Sequence, residues 1–425
     1  MARRIRAFRS WLVPLILLVT AGGAAAATLQ EMLDQAPEGS TVAPPAGVYS
    51  EHVVMKKAVV LDGSAGVIID GGGTGTVMEI ATSSAEVKNL TLRNSGRYHN
   101  ALDAGLRIKG DFNIVKDVKI ENALFGLDMH QANNNVIRRV TITSKPLNLE
   151  LRGDSIRLWY SHFNRLEDNV VHDARDFVVW YSHDNTISGN TIRNGRYGIH
   201  FMYAHHNHVL ENEIADCVVG VFLMYSNDID VRHNRLLRSW GASGMGVGFK
   251  ESSGVTIADN DIVGNAVGIF LDISPYDPDS TNTFTNNRIA YNGMGVEFHT
   301  DWEGNIFTGN AFLSNFTQIA VRGGGTALRE TWTGNYWDDY AGFDRDGDGL
   351  GDSPYEIYNY ADRMWMEVKD AAFFRASFAL EALDFVERLA PFTEPRLLLR
   401  EDKPLMHLPS FAKAAPKSAL ELLQQ

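Results

Sequence analysis

The sequence predicts an all-β chain wound into a right-handed parallel β-helix, closed by a short N-terminal cap and followed by a C-terminal helix and an extended arm. Three observations lead there. From about Val87 to Trp337 the chain repeats itself every 21 to 27 residues, and a period that long gives one solenoid coil per repeat. Inside each unit apolar residues alternate in period 2, as in Gly198-Ile199-His200-Phe201-Met202 and Gly220-Val221-Phe222-Leu223-Met224, which is the pattern of a strand with one buried face. No unit holds a helix-period run, so each coil is strand and turn only. Right-handedness follows from the general preference of parallel crossovers.

The elements follow in order. Arg3, Arg4, Arg6 and Arg9 precede the apolar run Trp11 to Thr20, and Ala24 to Ala27 supply an A-x-A site, so residues 1–27 read as a cleaved signal peptide for export. Arg3-Arg4 leaves twin-arginine export open beside general secretion. No later stretch reaches the roughly 18 apolar residues of a spanning helix. Leu29 to Gln35 is a short amphipathic helix placed to cover the open end of a solenoid core. Gly39 to Tyr49, Val53 to Gly63 and Val67 to Gly71 form a first irregular coil. The β-helix is expected to span residues 28–340, with an insertion around Lys145 to Gly153.

Its corners are marked by Asn169, Asn190, Asn212, Asn234, Asn260, Asn287, Asn310 and Asn335. Asparagine tolerates left-handed backbone angles, and stacked copies can hydrogen-bond from coil to coil. Ten to twelve coils at roughly 4.8 Å each would build a rod on the order of 50–60 Å long. Residues 341–360 hold an Asp/Gly-rich loop and connector, and residues 361–425 a C-terminal helix and tail. Within that segment Met364 to Leu389 is a helix candidate with a wide apolar stripe. Pro391 to Gln425 reads as an extended or partly disordered arm.

A net charge of −13 over 425 residues argues against nucleic acid as a partner. The single cysteine, Cys217, has no intramolecular disulfide partner and lies in a strand-corner run, where a buried inert thiol is expected.

Two constellations carry chemistry. In Asp344-Arg345-Asp346-Gly347-Asp348-Gly349-Leu350-Gly351-Asp352 the carboxylates of Asp344, Asp346, Asp348 and Asp352, with the backbone of Leu350, match the first part of a calcium-binding loop. Tyr355 stands where that loop would place its bidentate glutamate, so the missing carboxylate is expected from Glu356 or Asp338. The role of such a calcium would be structural.

The second constellation appears when the coils are stacked by their glycines. The outward pairs are then Arg107/Lys109, Asp128/His130, Arg157/Trp159, Val178/Trp180, His200/Met202, Phe222/Met224, Gly248/Lys250, Phe270/Asp272 and Glu297/His299. This face carries Trp, Met, Phe and His where a solvated sheet would carry Thr, Lys and Glu, and such a stripe marks a binding surface. His200 and Met202 lie about 7 Å apart along one strand, and Met202 and Met224 roughly 4.8 Å apart across the ladder. With the neighbouring His205 they form a candidate site for transient Cu(I), since thioether and imidazole donors suit a soft ion. His205 belongs to a further column, His162, His183 and His205, behind the stacked Tyr160, Tyr181, Tyr203 and Tyr225. The alternative is that the methionines pack under a loop and the histidines are solvated corners. Trp159, Trp180, Phe222, Met364 and Met366 are candidate partner-binding residues.

No catalytic site presents itself. Asp168, Asp173, Asp176 and Asp184 are close in sequence and Asp272 faces outward, but Arg157 is the only arginine expected beside the stripe. Asp277-Pro278-Asp279 lacks the histidine of the Asp-Pro-His-Asp signature of alginate epimerases. A polysaccharide-binding or uronate-modifying protein, with Trp159 and Trp180 stacking on sugar rings, is the alternative function.

Several motifs together resemble the NosD family, the periplasmic maturation factors of nitrous oxide reductase. They are Gly153-Asp154-Ser155-Ile156-Arg157-Leu158-Trp159-Tyr160-Ser161, Val179-Trp180-Tyr181-Ser182, Gly198-Ile199-His200-Phe201-Met202-Tyr203, and Gly334-Asn335-Tyr336-Trp337-Asp338-Asp339-Tyr340 through Gly351-Asp352-Ser353-Pro354-Tyr355. The resemblance implies a non-enzymatic accessory protein of denitrification. It would work with the membrane subunit of an ABC-type transporter and a copper chaperone lipoprotein to assemble the copper sites of nitrous oxide reductase. It does not say which residues hold copper.

Overall fold

A computed structural model of the chain describes residues 27–359, 363–368, 374, 377–390 and 394–413. The signal-peptide expectation for residues 1–26 lies outside the described residues.

The chain enters through α1 (Leu29–Gln35). The Thr28 hydroxyl accepts the Glu31 N–H at 3.1 Å while the Glu31 carboxylate accepts the Thr28 N–H at 3.0 Å, a reciprocal cap that fixes where the helix starts. Leu29 and Leu33 are buried over the first coil.

Beyond it the chain is a parallel β-solenoid. One strand per coil builds a twelve-stranded parallel sheet running from Val53–Met55 to Thr317–Val321, and the shorter strands build a twenty-four-stranded sheet around the other sides. Inward residues such as Ile199, Phe201, Val221, Leu223, Val247 and Phe249 are fully buried in one continuous core.

The marker asparagines form a buried ladder. From Asn169 to Asn310, each backbone N–H and each Nδ2 donates to the Oδ1 of the next marker asparagine at 2.8–3.0 Å. The left-handed backbone was expected on these residues and falls instead on the residue before each one: Asp168, Gly189, Glu211, His233, Asp259, Asn286, Gly309 and Gly334 all have φ between 54° and 68°. The ladder asparagine turns its side chain inward and donates along the rod, so the corner is made one residue earlier.

Two expectations about the C-terminus need correction. The arm after Pro391 is not simply extended or disordered: Arg396–Glu401 pairs antiparallel with Tyr355–Asn359, and Leu398 and Leu399 are fully buried. Glu401 ends the asparagine ladder, its carboxylate accepting from Asn335 N at 2.7 Å, Asn335 Nδ2 at 3.2 Å and Trp337 Nε1 at 2.7 Å. This stretch is a lid on the open end of the core, made from residues 66 positions away from the ladder it terminates. Residues 414–425 lie outside the described residues. The helix expected over Met364 to Leu389 is two helices, α2 (Arg363–Glu367) and α3 (Phe378–Leu389). The Ser377 hydroxyl accepts the Leu380 N–H and caps a fresh helix start, which ends the continuity.

Candidate functional site

The strand Tyr197–Met202 lies between Asp176–Trp180 and Val219–Met224 in the twelve-stranded sheet. Pairing aligns Trp180, Met202, Met224 and Lys250 in one row across the strands and Val178, His200, Phe222 and Gly248 in the next. The stacking read from the glycines is therefore the observed register. Met202 and Met224 are half-buried neighbours on the outer face.

His200 faces outward by strand parity but is only 8% exposed. The Tyr197 ring stacks on it at 4.6 Å between centroids and Phe222 leans against it at 5.8 Å. Its Nε2 is buried without a hydrogen-bond partner, and so is the Nε1 of Trp180, Met202's neighbour across the ladder. Burial pushes the His200 imidazole down to about 4, against a partial opposing pull from Asp176, so near neutral pH it is uncharged and keeps a lone pair. Buried polar atoms are ordinarily satisfied. Two orphans beside a thioether pair mark the part of this face that its own residues do not complete.

The Phe222 ring closes over Gly248: a Cβ at that glycine would sit 2.5 Å from the ring. Any larger residue there would lift Phe222 off the sheet. Trp159 and Trp180 meet edge to face at 5.6 Å, and the Arg157 guanidinium lies 4.9 Å from the first ring centroid and 5.9 Å from the second. Arg157 is held there by the buried Asp128, at 2.9 Å, which also binds Arg107 at 2.9 Å. Arg157 is not the only arginine beside the stripe, because Arg196 covers Tyr197 at 5.0 Å and pairs with buried Asp176.

The column of His162, His183 and His205 stacks at 5.1 and 5.2 Å as expected, but its chemistry differs from the expectation for copper. Each Nδ1 accepts a backbone N–H from the next coil, and for His205 the donor is Asn227 at 3.0 Å. The proton of the neutral ring then sits on Nε2, and the one lone pair is already used. His205 is a corner ladder residue, set apart from Met202 and Met224.

The candidate carboxylates do not assemble. Asp176 is paired with Arg175 and Arg196, Asp173 with His172 and Asn194, and Asp272 with Lys250 at 3.4 Å, while Asp168 and Asp184 occupy left-handed corners. Cys217 is buried, and burial pushes its thiol up to about 12, so it is inert.

In the Asp/Gly loop, ligand oxygens of Asp344, Asp346 and Asp348 lie within 4.8 Å of one another. The Asp344 carboxylate accepts Gly347 N–H and Gly349 N–H, and those bonds hold it below the usual carboxylate range. Asp352 accepts the Arg345 N–H at 2.6 Å, and Leu350 is bridged to Leu405 of the lid. The two carboxylates expected to complete the loop have partners of their own. Glu356 is paired with Arg400 at 2.9 Å, and Asp338 accepts from Ser314 and Gln318.

Of the expected partner-binding residues, Met364 is exposed, but Met366 is buried with Trp365 against the outer face of the twelve-stranded sheet, beside Val267, Met294 and Ala320. Met366 is occupied by its own chain. Sequence reasoning missed Tyr197, Met245 and Met294 on this face. They stand at strand starts, in register with one another through Val219 and Val267. Counting only the last two outward positions of each strand passed over that column.

The fold alone is shared with unrelated proteins. The chain is 13% identical to the catalytic domain of a GH87 α-1,3-glucanase solved with nigerose, covering 74% of this chain and 68% of that one with a TM-score of 0.56. It is 13% identical to the N-terminal fragment of gene product 12 of bacteriophage phi29, covering 68% and 66% with a TM-score of 0.50. Among sequences, the family described as periplasmic copper-binding protein (NosD) matches residues 133–342, which contain the whole stripe from Trp159 to His299. A protein of Pseudomonas aeruginosa PAO1 named probable ABC transporter binding protein NosD is 33% identical over 384 residues, 86% of this chain and 88% of its own. Its namesake from Stutzerimonas stutzeri is 33% identical over 133 residues, 30% of each chain. With a relative this similar over nearly its whole length, the chain belongs to the NosD family.

Proposed function

We propose that this protein is an exported, non-enzymatic accessory factor that holds Cu(I) in passing during maturation of nitrous oxide reductase, with Met202, Met224 and His200 as the donors. Copper here is cargo. The observation that carries the proposal is the unpartnered Nε2 of His200, on a ring kept neutral by burial, two residues along the strand from Met202 of the Met202/Met224 thioether pair. Thioethers and a neutral imidazole suit Cu(I) and give little to magnesium or calcium. The Trp180 ring, next to Met202 in the ladder, adds a π-face beside the cation. The description of the family as copper-binding and periplasmic supports this reading.

The proposal extends to partners and domains. The relatives' names support an ABC-type transporter as partner, and the copper chaperone lipoprotein and the reductase complete the route as donor and recipient. Trp159 and Trp180 form the docking surface closest to the copper donors. Residues 28–340 are the scaffold, residues 341–360 a calcium-stabilised connector using Asp344, Asp346 and Asp348, and residues 361–425 combine a lid with a docking element.

Anaerobic titration of the mature protein with Cu(I) against a chromogenic chelator tests the donor set. The Met202→Leu, Met224→Leu double variant is expected to lose at least tenfold in affinity, about 1.4 kcal/mol. An unchanged affinity would remove this site.

A further inference from the structure

On the far side of Phe222 the same face carries a second group of thioethers. Met245 and Met294 line a cavity of about 380 Å³ that the Trp365 indole also lines, and Met366 packs in the same cluster. Among the described residues eight make up this cluster, and Met245, Met294 and Met366 are three of them; the main interior core holds the same number there, Met55, Met78 and Met129, spread over its first coils. Leucine would pack as well in an apolar contact, so the concentration of sulfur beside an open cavity points to a ligand. The charged groups at the cavity are spent on each other, since Glu297 and Arg322 form an ion pair, and Ser243 is the other polar side chain among its lining residues. The thioethers of Met245 and Met294 and the Trp365 indole face are the soft donors there, a set that favours a soft monovalent cation.

The two groups are joined. A Cβ at Gly248 would meet both the Phe222 ring at 2.5 Å and the Met245 sulfur at 3.0 Å, so ring and thioether converge over that glycine. Phe222 in turn touches the His200 ring. The outer face therefore runs without interruption from Met202, Met224 and His200, past Phe222, to Met245 and Met294 under α2.

We infer that Met245 and Met294, covered by the Trp365 indole, form a second Cu(I) station on this face, reached from the first across Phe222. The inference rests on the proposed copper function and deepens it into a two-station track. Movement between the stations is ligand exchange: a copper–sulfur bond to the first pair breaks as one to the second forms, and the metal stays Cu(I) throughout. No oxidant, reductant or proton is required.

The test is the stoichiometry of Cu(I) added anaerobically to the mature full-length protein. Two equivalents are expected for the unaltered protein, one for the Met245→Leu, Met294→Leu variant and one for Met202→Leu, Met224→Leu. A single equivalent abolished by Met202→Leu, Met224→Leu and untouched by Met245→Leu, Met294→Leu would overturn the second station and leave the proposed function standing. No stoichiometric binding would overturn both. If Met245→Leu, Met294→Leu fails to fold, Trp365 reports instead: the second equivalent is expected to quench tryptophan fluorescence, and Trp365→Phe to remove that quenching. Identical quenching curves with and without Trp365 would overturn the station.

Discussion

The inside of the solenoid and the outer face of its twelve-stranded sheet are built on the same repeat and treat their polar atoms in opposite ways. Inside, the amides of the asparagine ladder are all partnered, and the last one meets a carboxylate supplied by the C-terminal lid. Outside, His200 and Trp180 each bury a ring nitrogen that nothing in the described chain satisfies. A polar column that completes itself serves the rod, and the one that stays incomplete under burial is where the proposed copper donors lie. The contrast separates residues whose loss should unfold the protein from residues whose loss should empty it.

The largest effect is expected inside. Asn234→Ala removes the acceptor of Asn212 N and Nδ2 and the donor to Val209 O, leaving buried groups unpaired in mid-ladder. It should lower unfolding free energy by about 3 kcal/mol in urea titration, with Cu(I) affinity in the surviving folded protein unchanged. A loss of copper binding with unaltered stability would break the division between the two faces.

Next is the lid. Glu401→Gln turns an amide NH₂ toward three donors and should cost about 2 kcal/mol. Burial pushes Glu401 up to about 7 from the ordinary glutamate value of 4.5. Its folded-state pKa is raised, so the stability it contributes is complete below about pH 4.5 and is lost as pH rises through about 7. The melting temperature of Glu401→Gln should therefore fall less steeply than that of the unaltered protein between those two pH values. Parallel slopes would show that Glu401 does not titrate there.

The outer face should behave in the reverse sense. Met202→Leu, Met224→Leu keeps side-chain volume and should change stability by less than about 1.5 kcal/mol while weakening copper binding. His200 sharpens this further. Because its imidazole is pushed down to about 4, the part of Cu(I) affinity that a His200→Ala comparison assigns to it should hold from pH 8 to about 5 and fall only toward pH 4. A midpoint near 6.5, where an ordinary histidine titrates, would mean the ring is not buried as described. The smallest effect belongs to the Asp/Gly loop. Calcium should raise the melting temperature by a few degrees, and Asp344→Asn with Asp346→Asn should abolish that rise.

The parts of the molecule legible in its sequence are those set by local periodicity. The coil register, with Met202 beside Met224 and Trp159 beside Trp180, followed from aligning glycines, because a one-residue slip would turn every inward side chain outward. The lid was illegible because Glu401 and Leu405 act on Asn335 and Tyr336, far away in sequence, and nothing near them announces a partner. The break between α2 and α3 had a signal, Ser377 as a capping residue, which the apolar stripe over Met364 to Leu389 concealed. His205 was misassigned because residue type alone does not show that its Nδ1 lone pair is spent on Asn227. His200 kept its candidacy for a reason the sequence could not give, since its burial comes from Tyr197 and Phe222 folding over it.

Copper K-edge X-ray absorption of the anaerobic protein, carrying Met245→Leu and Met294→Leu throughout so that only the first station loads, with one Cu(I) equivalent tests the central claim most directly. The predicted result is a shell dominated by sulfur scatterers with an imidazole contribution, losing its sulfur component in Met202→Leu, Met224→Leu. A shell of nitrogen and oxygen alone, or a sulfur shell that this variant leaves unaltered, would contradict it.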